Sequence, residues 1–156
     1  MNINIIAAGK LKEKYHKEAF KEYEKRLSAY CPFSLIEVQA EQITDEALSG
    51  KYKEIEAQRI LNALKHGSYV ITLEIQGAKL SSEQFAAKIK EIQNEGVNNI
   101  SFIIGSANGL SPKISGIADF KLSLSSMTFT HQTAVILLAE QIYRAFKINS
   151  NEPYHR

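Results

Sequence analysis

Residues 122–156, LSLSSMTFTHQTAVILLAEQIYRAFKINSNEPYHR, are the stretch on which the reading of the fold turns. An apolar strand end runs into a Ser/Thr loop, and a helix of about 131–149 follows. The chain then ends on Pro153-Tyr154-His155-Arg156. Val135, Leu138, Ala139, Ile142 and Phe146 project along one side of that helix, and Ile136 and Leu137 widen the apolar surface. A helix apolar over most of its circumference needs cover on two sides, so it is buried in a layered structure or shared with a second subunit.

Outward from this segment, strand and helix patterns alternate. Buried strands are expected at 2–9, 33–38, 69–75, 100–104 and 119–124, rich in β-branched residues. Between them, Tyr15, Ala19, Tyr23, Leu27 and Tyr30 carry helical spacing through 12–30, which Cys31-Pro32 stops. Thr44 is expected to cap a helix running to about Lys65, closed by His66-Gly67. Ser81 or Ser82 caps the next, with Phe85, Ala86, Ile89 and Ile92 inward, and Ser111-Pro112 opens a short one. Strict alternation predicts one α/β domain over 1–156, a mostly parallel sheet with helices on both faces. Ligands in such sheets sit beyond the carboxyl ends of the strands, here the loops after Ile75, Ile104 and Leu124.

Composition narrows the function classes. Hydrophobic residues at 44% and charged residues at 23% argue against wholesale disorder. A formal net charge of +2 does not by itself mark a nucleic-acid binder. One cysteine, Cys31, excludes an internal disulfide framework, and four scattered histidines make no metal site. No run approaches the ~20 apolar residues that cross a bilayer. A cytoplasmic protein without metal or membrane partner is expected.

Several features carry two readings each. The loop Gly105-Ser106-Ala107-Asn108-Gly109 lacks the P-loop lysine and the dinucleotide spacing, and reads as a tight turn or as backbone approach to a ligand. Gln76-Gly77 reads as a turn closing its strand. The hydroxyls of Ser123, Ser125, Ser126 and Thr128 either satisfy local backbone groups or wrap a purine or thioether. Glu140 and Arg144 form an intrahelical ion pair or a catalytic pair. Lys10, Lys14, Lys17, Lys21 and Lys25 share one sector of the first helix, as a solvated face or a stripe on nucleic-acid phosphates. The last residues either fray or dock.

Taken together, Gly9-Lys10, Leu73-Glu74-Ile75-Gln76-Gly77, Ile104-Gly105, Asn108-Gly109-Leu110, residues 122–129, His131-Gln132, residues 140–145 and Pro153-Tyr154-His155-Arg156 resemble the ribosomal RNA large-subunit methyltransferase H family of small SPOUT-class enzymes. The resemblance spans essentially the whole chain. It implies a C-terminal trefoil knot, a homodimer, and S-adenosylmethionine bound in the knot. The implied reaction is methylation of N3 of a pseudouridine in 23S rRNA, within assembled ribosomes. By motif matching, cofactor contacts fall on Leu73, Gly105, Leu124, Ser125, Ser126, Met127, Thr128 and Phe129. His155, Tyr154 and Arg144 are the expected catalytic group, with Arg156, Lys10, Lys14, Lys17 and Lys21 toward RNA. His155 is the natural titrating group, because an unperturbed imidazole titrates near neutrality.

Three positions depart from the family pattern. Ser106 stands where the family has a second glycine, Thr130 where it has proline, and Val135 where it has arginine. Ser106 is expected to narrow backbone approach to the cofactor, and Val135 to remove a charge facing RNA or the partner subunit. Ser106 and Val135 motivate a rival reading from another class, a ribosome-binding module of the same fold without catalysis. A nucleotide-binding domain unrelated to RNA is a third, and it predicts binding of ATP or NAD.

Overall fold

The sheet forms because alternate residues of its strands are apolar on both faces. In the computed structural model, which describes residues 1–42 and 44–154, it contains β1 (Asn2–Ala8), β2 (Phe33–Val38), β3 (Tyr69–Lys79), β4 (Asn99–Ile104) and β5 (Phe120–Ser123). The spatial order is β2-β1-β4-β3-β5, and every pairing is parallel. Ile3, Ile5 and Ala7 of β1, with Ile100, Phe102 and Ile104 of β4, face a large core beneath α1 (Lys14–Leu27), α3 (Ser82–Asn94) and α5 (His131–Asn149). Ile6, Ala8, Val70 and Ile103 face the other way, onto Ala57 and Ile60 of α2 (Ser49–Ala63) and Ile114 of α4 (Pro112–Gly116). The period of two along each strand thus sorts residues into two cores.

The chain moves from β1 outward to β2, back across to β3, inward to β4, and out again to β5. Each change of direction coincides with a change of face, so the four crossovers share one hand, as parallel connections require. After β5 the chain returns as α5, packed between α1 and α3 on the same face. The cover expected for this apolar helix therefore comes from its own chain on two sides. Val135, Leu138, Ala139 and Ile142 are fully buried, while Ile136 and Leu137 stay half-buried on the outer side.

Several sequence expectations are revised. Residue 15 does not belong to the core face of α1: Tyr15 is 64% exposed, and Phe20 with Leu27 are the buried pair. Lys10 precedes α1 and so is not on its lysine sector. Thr44 is not the cap of the second helix. Asp45 Oδ1 accepts from the Ala47 N–H at 2.9 Å and starts a 3₁₀ turn (Glu46–Leu48), after which α2 begins at Ser49. Ser81, not Ser82, caps α3, in a reciprocal box with Gln84.

The most consequential revision concerns β3. Gln76-Gly77 does not end it; the strand continues to Lys79. Leu122 is the register partner of both Leu73 and Ala78, so residues 74–77 form a bulge opposite a single residue of β5. At Gly77 a Cβ would lie 2.7 Å from the carbonyl carbon of Leu122 and 2.8 Å from the Lys121 oxygen. Glycine is present because backbone meets backbone, not because the chain turns.

Candidate active site

The bulge of β3, the loop after β4 and the loop after β5 meet at the carboxyl edge of the sheet. They enclose a cavity of about 720 Å³, within the range that holds a cofactor-sized ligand. Seven of the eight residues assigned to the cofactor line it: Leu73, Gly105, Leu124, Ser125, Met127, Thr128 and Phe129. The eighth, Ser126, is outside the lining; its hydroxyl receives a hydrogen bond from the Lys79 ammonium. Met127 and Phe129 are large apolar side chains that stay exposed in the free chain, at 74% and 38%.

The Ser/Thr loop fulfils its local reading and still faces the cavity. Ser123 Oγ donates to the Ser125 carbonyl at 3.0 Å, and Ser125 Oγ accepts from the Met127 N–H at 3.0 Å. These bonds shape the loop without consuming all of its polar capacity. Thr130 caps α5 by accepting from the Thr133 N–H at 3.3 Å. The threonine at this departure from the family pattern thus supplies a helix cap.

The loop 105–109 is a tight turn that also walls the cavity. The Gly109 N–H donates to the Ser106 carbonyl at 2.9 Å, and Gly109 has φ of +78°. A Cβ on Gly105 would come within 3.0 Å of Gly109 backbone and of the Leu110 side chain. A side chain at 105 would therefore press on the closed loop, which would have to give by a few tenths of an ångström. The Ser106 hydroxyl donates to the carboxylate of Glu56, at 2.6 and 2.9 Å to its two oxygens. Ser106 lines the cavity, with its hydroxyl engaged by Glu56.

Sequence reasoning missed two ionisable lining residues, Glu74 and His131. Glu74 is the one carboxylate among them, and its oxygens accept from Thr72 Oγ1 at 2.7 Å and Ser115 Oγ at 3.1 Å. His131 seats on the turn after β1: its Nε2 lies 3.3 Å from the Lys10 carbonyl, and a Cβ on Gly9 would lie 2.6 Å from that nitrogen. Beside it the Lys12 N–H donates to Gln132 Oε1 at 2.8 Å. The motifs Gly9-Lys10 and His131-Gln132, remote in sequence, are one contact that fixes the start of α5. That contact was the available signal for His131.

Of the residues proposed for catalysis, Arg144 and Tyr154 are described, and neither lines this cavity. Arg144 Nη2 pairs with Glu140 Oε1 at 2.8 Å, as in the intrahelical reading. Its guanidinium also sits 4.8 Å from the centre of the Tyr154 ring, whose edge meets Tyr143 at 4.9 Å. Before it, Glu152 accepts from Tyr30 Oη at 2.8 Å and pairs with Lys147. The Lys147 ammonium, and then the Tyr30 hydroxyl, hold the Glu152 carboxyl below its ordinary value. Burial, with Glu140 nearby, pushes the Tyr23 phenol up to about 12. The end of the chain is thus docked as far as Tyr154. His155 and Arg156 lie outside the described residues.

Arg144 and Tyr154 are brought together, but not onto the cavity of their own chain. Tyr143 is twelve positions along α5 from His131, ~18 Å at ~1.5 Å per residue. α5 starts at the carboxyl edge of the sheet and runs back toward the amino edge. Lys10, Lys14, Lys17 and Lys21 are all exposed, and Lys14 lies 3.7 Å from Glu18. Among the described residues no group of acidic, histidine or cysteine side chains is arranged to hold a metal ion, and no helix is long and apolar enough to cross a membrane.

The model of a family described as predicted SPOUT methyltransferases matches residues 1–155. The chain is 48% identical, over the full length of both proteins, to ribosomal RNA large subunit methyltransferase H of Clostridium kluyveri. It is equally similar, at 48% over full length, to the protein of the same name from Clostridioides difficile. The chain belongs to the ribosomal RNA large subunit methyltransferase H family. In fold it is similar to the structure of a probable methylase family protein from Haemophilus influenzae, with a TM-score of 0.58 over 99% of this chain and 70% of that one. At 16% identity that likeness concerns the fold alone.

Within the methyltransferase H family the departure at Val135 has a simple physical setting. Its side chain is fully buried among α5, the sheet and the neighbouring helices. Position 135 is therefore an interior position of this chain, not a surface from which a charge has been lost. Thr130 likewise has a structural part, as the cap of α5.

Proposed function

We propose that this chain is an S-adenosylmethionine-dependent methyltransferase that acts on N3 of a pseudouridine in 23S rRNA, in assembled ribosomes and as a homodimer. The observation that carries the reading is the cavity at the carboxyl edge, where residues matched independently by motif converge in a member of this family. The relatives' names supply the ribosomal RNA substrate class. A trefoil knot in the C-terminal part and a cytoplasmic location belong to the same proposal.

The cavity fits the cofactor by its donor set. Leu73, Ile104, Leu110 and Phe129 offer apolar walls, and Ser125 and Thr128 offer hydroxyls. Glu74 gives the site one negative charge suited to a cation. When bound, S-adenosylmethionine supplies an electrophilic methyl group on a sulfonium. The protein's own task is mainly alignment, because in-line displacement gains most from holding the reacting atoms in register. N3 of the base must also lose its proton, and neutral His155 is the acceptor in this reading. Tyr154 and Arg156 hold the RNA side, Arg144 fixes the end of the chain, and Lys10, Lys14, Lys17 and Lys21 extend the phosphate contacts.

Two observations support the homodimer. Tyr154 docks on Tyr143, itself ~18 Å along α5 from His131 at the cavity of the same chain, so a second copy is the natural way to bring this group to a cavity. Ile136, Leu137, Ile75 and Phe129 leave apolar surface open near the cavity side. Deleting residues 153–156 tests the assignment of roles. Calorimetric titration with S-adenosylmethionine should give the affinity of the intact chain, while methylation falls to background. Full methylation by the truncated chain would refute the role given to its last residues, and no binding by the intact chain would refute the enzyme reading.

A further inference from the structure

We infer that Glu56 is a positioning residue, whose buried carboxylate holds the loop 105–109 in the shape that the cofactor cavity requires. The inference rests on the cofactor reading of that cavity and assigns a role to a residue outside it.

Glu56 is only 2% exposed, on a turn of α2 fixed by its neighbours Ala57 and Ile60 in the second core. A carboxylate in such a place needs its charge met by donors. Among the described residues no cation is within ion-pair distance of it, so hydrogen bonds carry the burden. Ser106 Oγ donates to both oxygens, at 2.6 and 2.9 Å. Asn108 Nδ2 donates to Oε2 at 3.2 Å, and the Glu41 N–H donates to the same oxygen at 2.8 Å. The Asn108 N–H closes the arrangement by donating to Ser106 Oγ at 3.1 Å.

Two of the three donor residues thus belong to the loop that walls the cavity, and the third is held from its far side. Arg59 pairs with Glu41 at 2.7 Å and donates to the Gln39 carbonyl at 2.9 Å. At its helix end the network is set in α2 beside Ala57 and Ile60 of the second core; at its loop end it adds to the Gly109–Ser106 turn bond at 2.9 Å and to the Asn108 amide bond on the Glu41 carbonyl at 3.1 Å. Loss of the carboxylate or of the Ser106 hydroxyl therefore acts on the loop, not on α2. Serine at 106 is the device by which this chain ties the loop down, where a glycine would offer no hydroxyl.

The test uses the full chain, with Ser106→Ala and Ser106→Gly as loop-side variants. Glu56→Gln is the helix-side variant that keeps shape but exchanges an acceptor for a donor. Titration with S-adenosylmethionine should show affinity weakened roughly tenfold for Ser106→Ala, the scale of one hydrogen bond to a charged group. In turnover the loss should fall on KM for the cofactor more than on kcat. Amide hydrogen exchange should quicken at Asn108 and Gly109, in all three variants, while Ala57 and Ile60 keep their protection. Wild-type affinity and unchanged exchange in Ser106→Ala would overturn the inference. So would a loss of protection shared equally by α2, since that marks a general structural role. If the unsubstituted chain does not bind S-adenosylmethionine, the cofactor reading fails instead, and the exchange comparison alone decides whether Glu56 holds the loop.

Discussion

Gly77 concentrates the logic of the site in one missing atom. Its Cα faces the backbone of Lys121 and Leu122 so closely that a methyl group would overlap it, at 2.7 to 2.8 Å. Gly77→Ala should destabilise the fold by about 2 kcal/mol, the cost of overpacking a rigid contact. Urea denaturation measures it, and an unchanged midpoint would show that the β3–β5 contact is softer than drawn. The glycine was legible in the sequence, but its purpose was not, because a turn and a close approach use the same residue. Cys31 was easier, since nothing near it in sequence activates a thiol. Burial pushes that thiol up to about 11, so the thiolate is scarce at neutral pH. Maleimide labelling of the native chain at pH 7 should be slow and become fast on unfolding; rapid native labelling would contradict the burial.

At the scale of elements, strand and helix existence was legible wherever periodicity was strong. Tyr15 misled because spacing alone cannot say where an apolar stripe leaves the core; Leu27 of the same stripe is buried, and Phe20 beside it is the other buried residue of α1. The extension of β3 was hidden because pairing with β5, a long-range contact, overrides the local turn signal of Gln76-Gly77. The docking of the chain end was half legible, in Pro153 and Tyr154, but its anchors Tyr30 and Lys147 lie on other turns of the fold. Those anchors imply a pH response. Glu152 is held low in the folded chain, so its contribution is full above the ordinary carboxylate range and disappears as pH falls through its lowered value. Lys147 is raised by the same partner, so its part is full below the ordinary lysine range and is lost only as pH rises through the raised value. The Tyr154 ring should therefore stay docked through neutrality and leave on acidification below the carboxylate range. Ring proton shifts of Tyr154 report this; release near pH 7, or none in acid, would contradict the assignment.

For the whole molecule, the parallel sheet with two covered faces followed from alternation alone. Strand order did not, because several orders satisfy the same crossover rule; pairings between remote residues such as Leu73 with Leu122 and Ile5 with Phe102 decide it. The candidate site shows the same division. Its loops were legible as strand ends, and its identity came from motifs, but the convergence of seven matched residues on one cavity is a property of the folded chain. The separation of that cavity from Tyr154 was not legible at all, since adjacency in sequence to a buried helix says nothing of which end is used. The most direct measurement is transfer of a tritiated methyl group from labelled S-adenosylmethionine by the purified chain, offered intact ribosomes or free 23S rRNA. Label is expected in the 23S rRNA of intact ribosomes, on a pseudouridine at N3, with little on the free RNA. No transfer to ribosomes that lack the modification would contradict it.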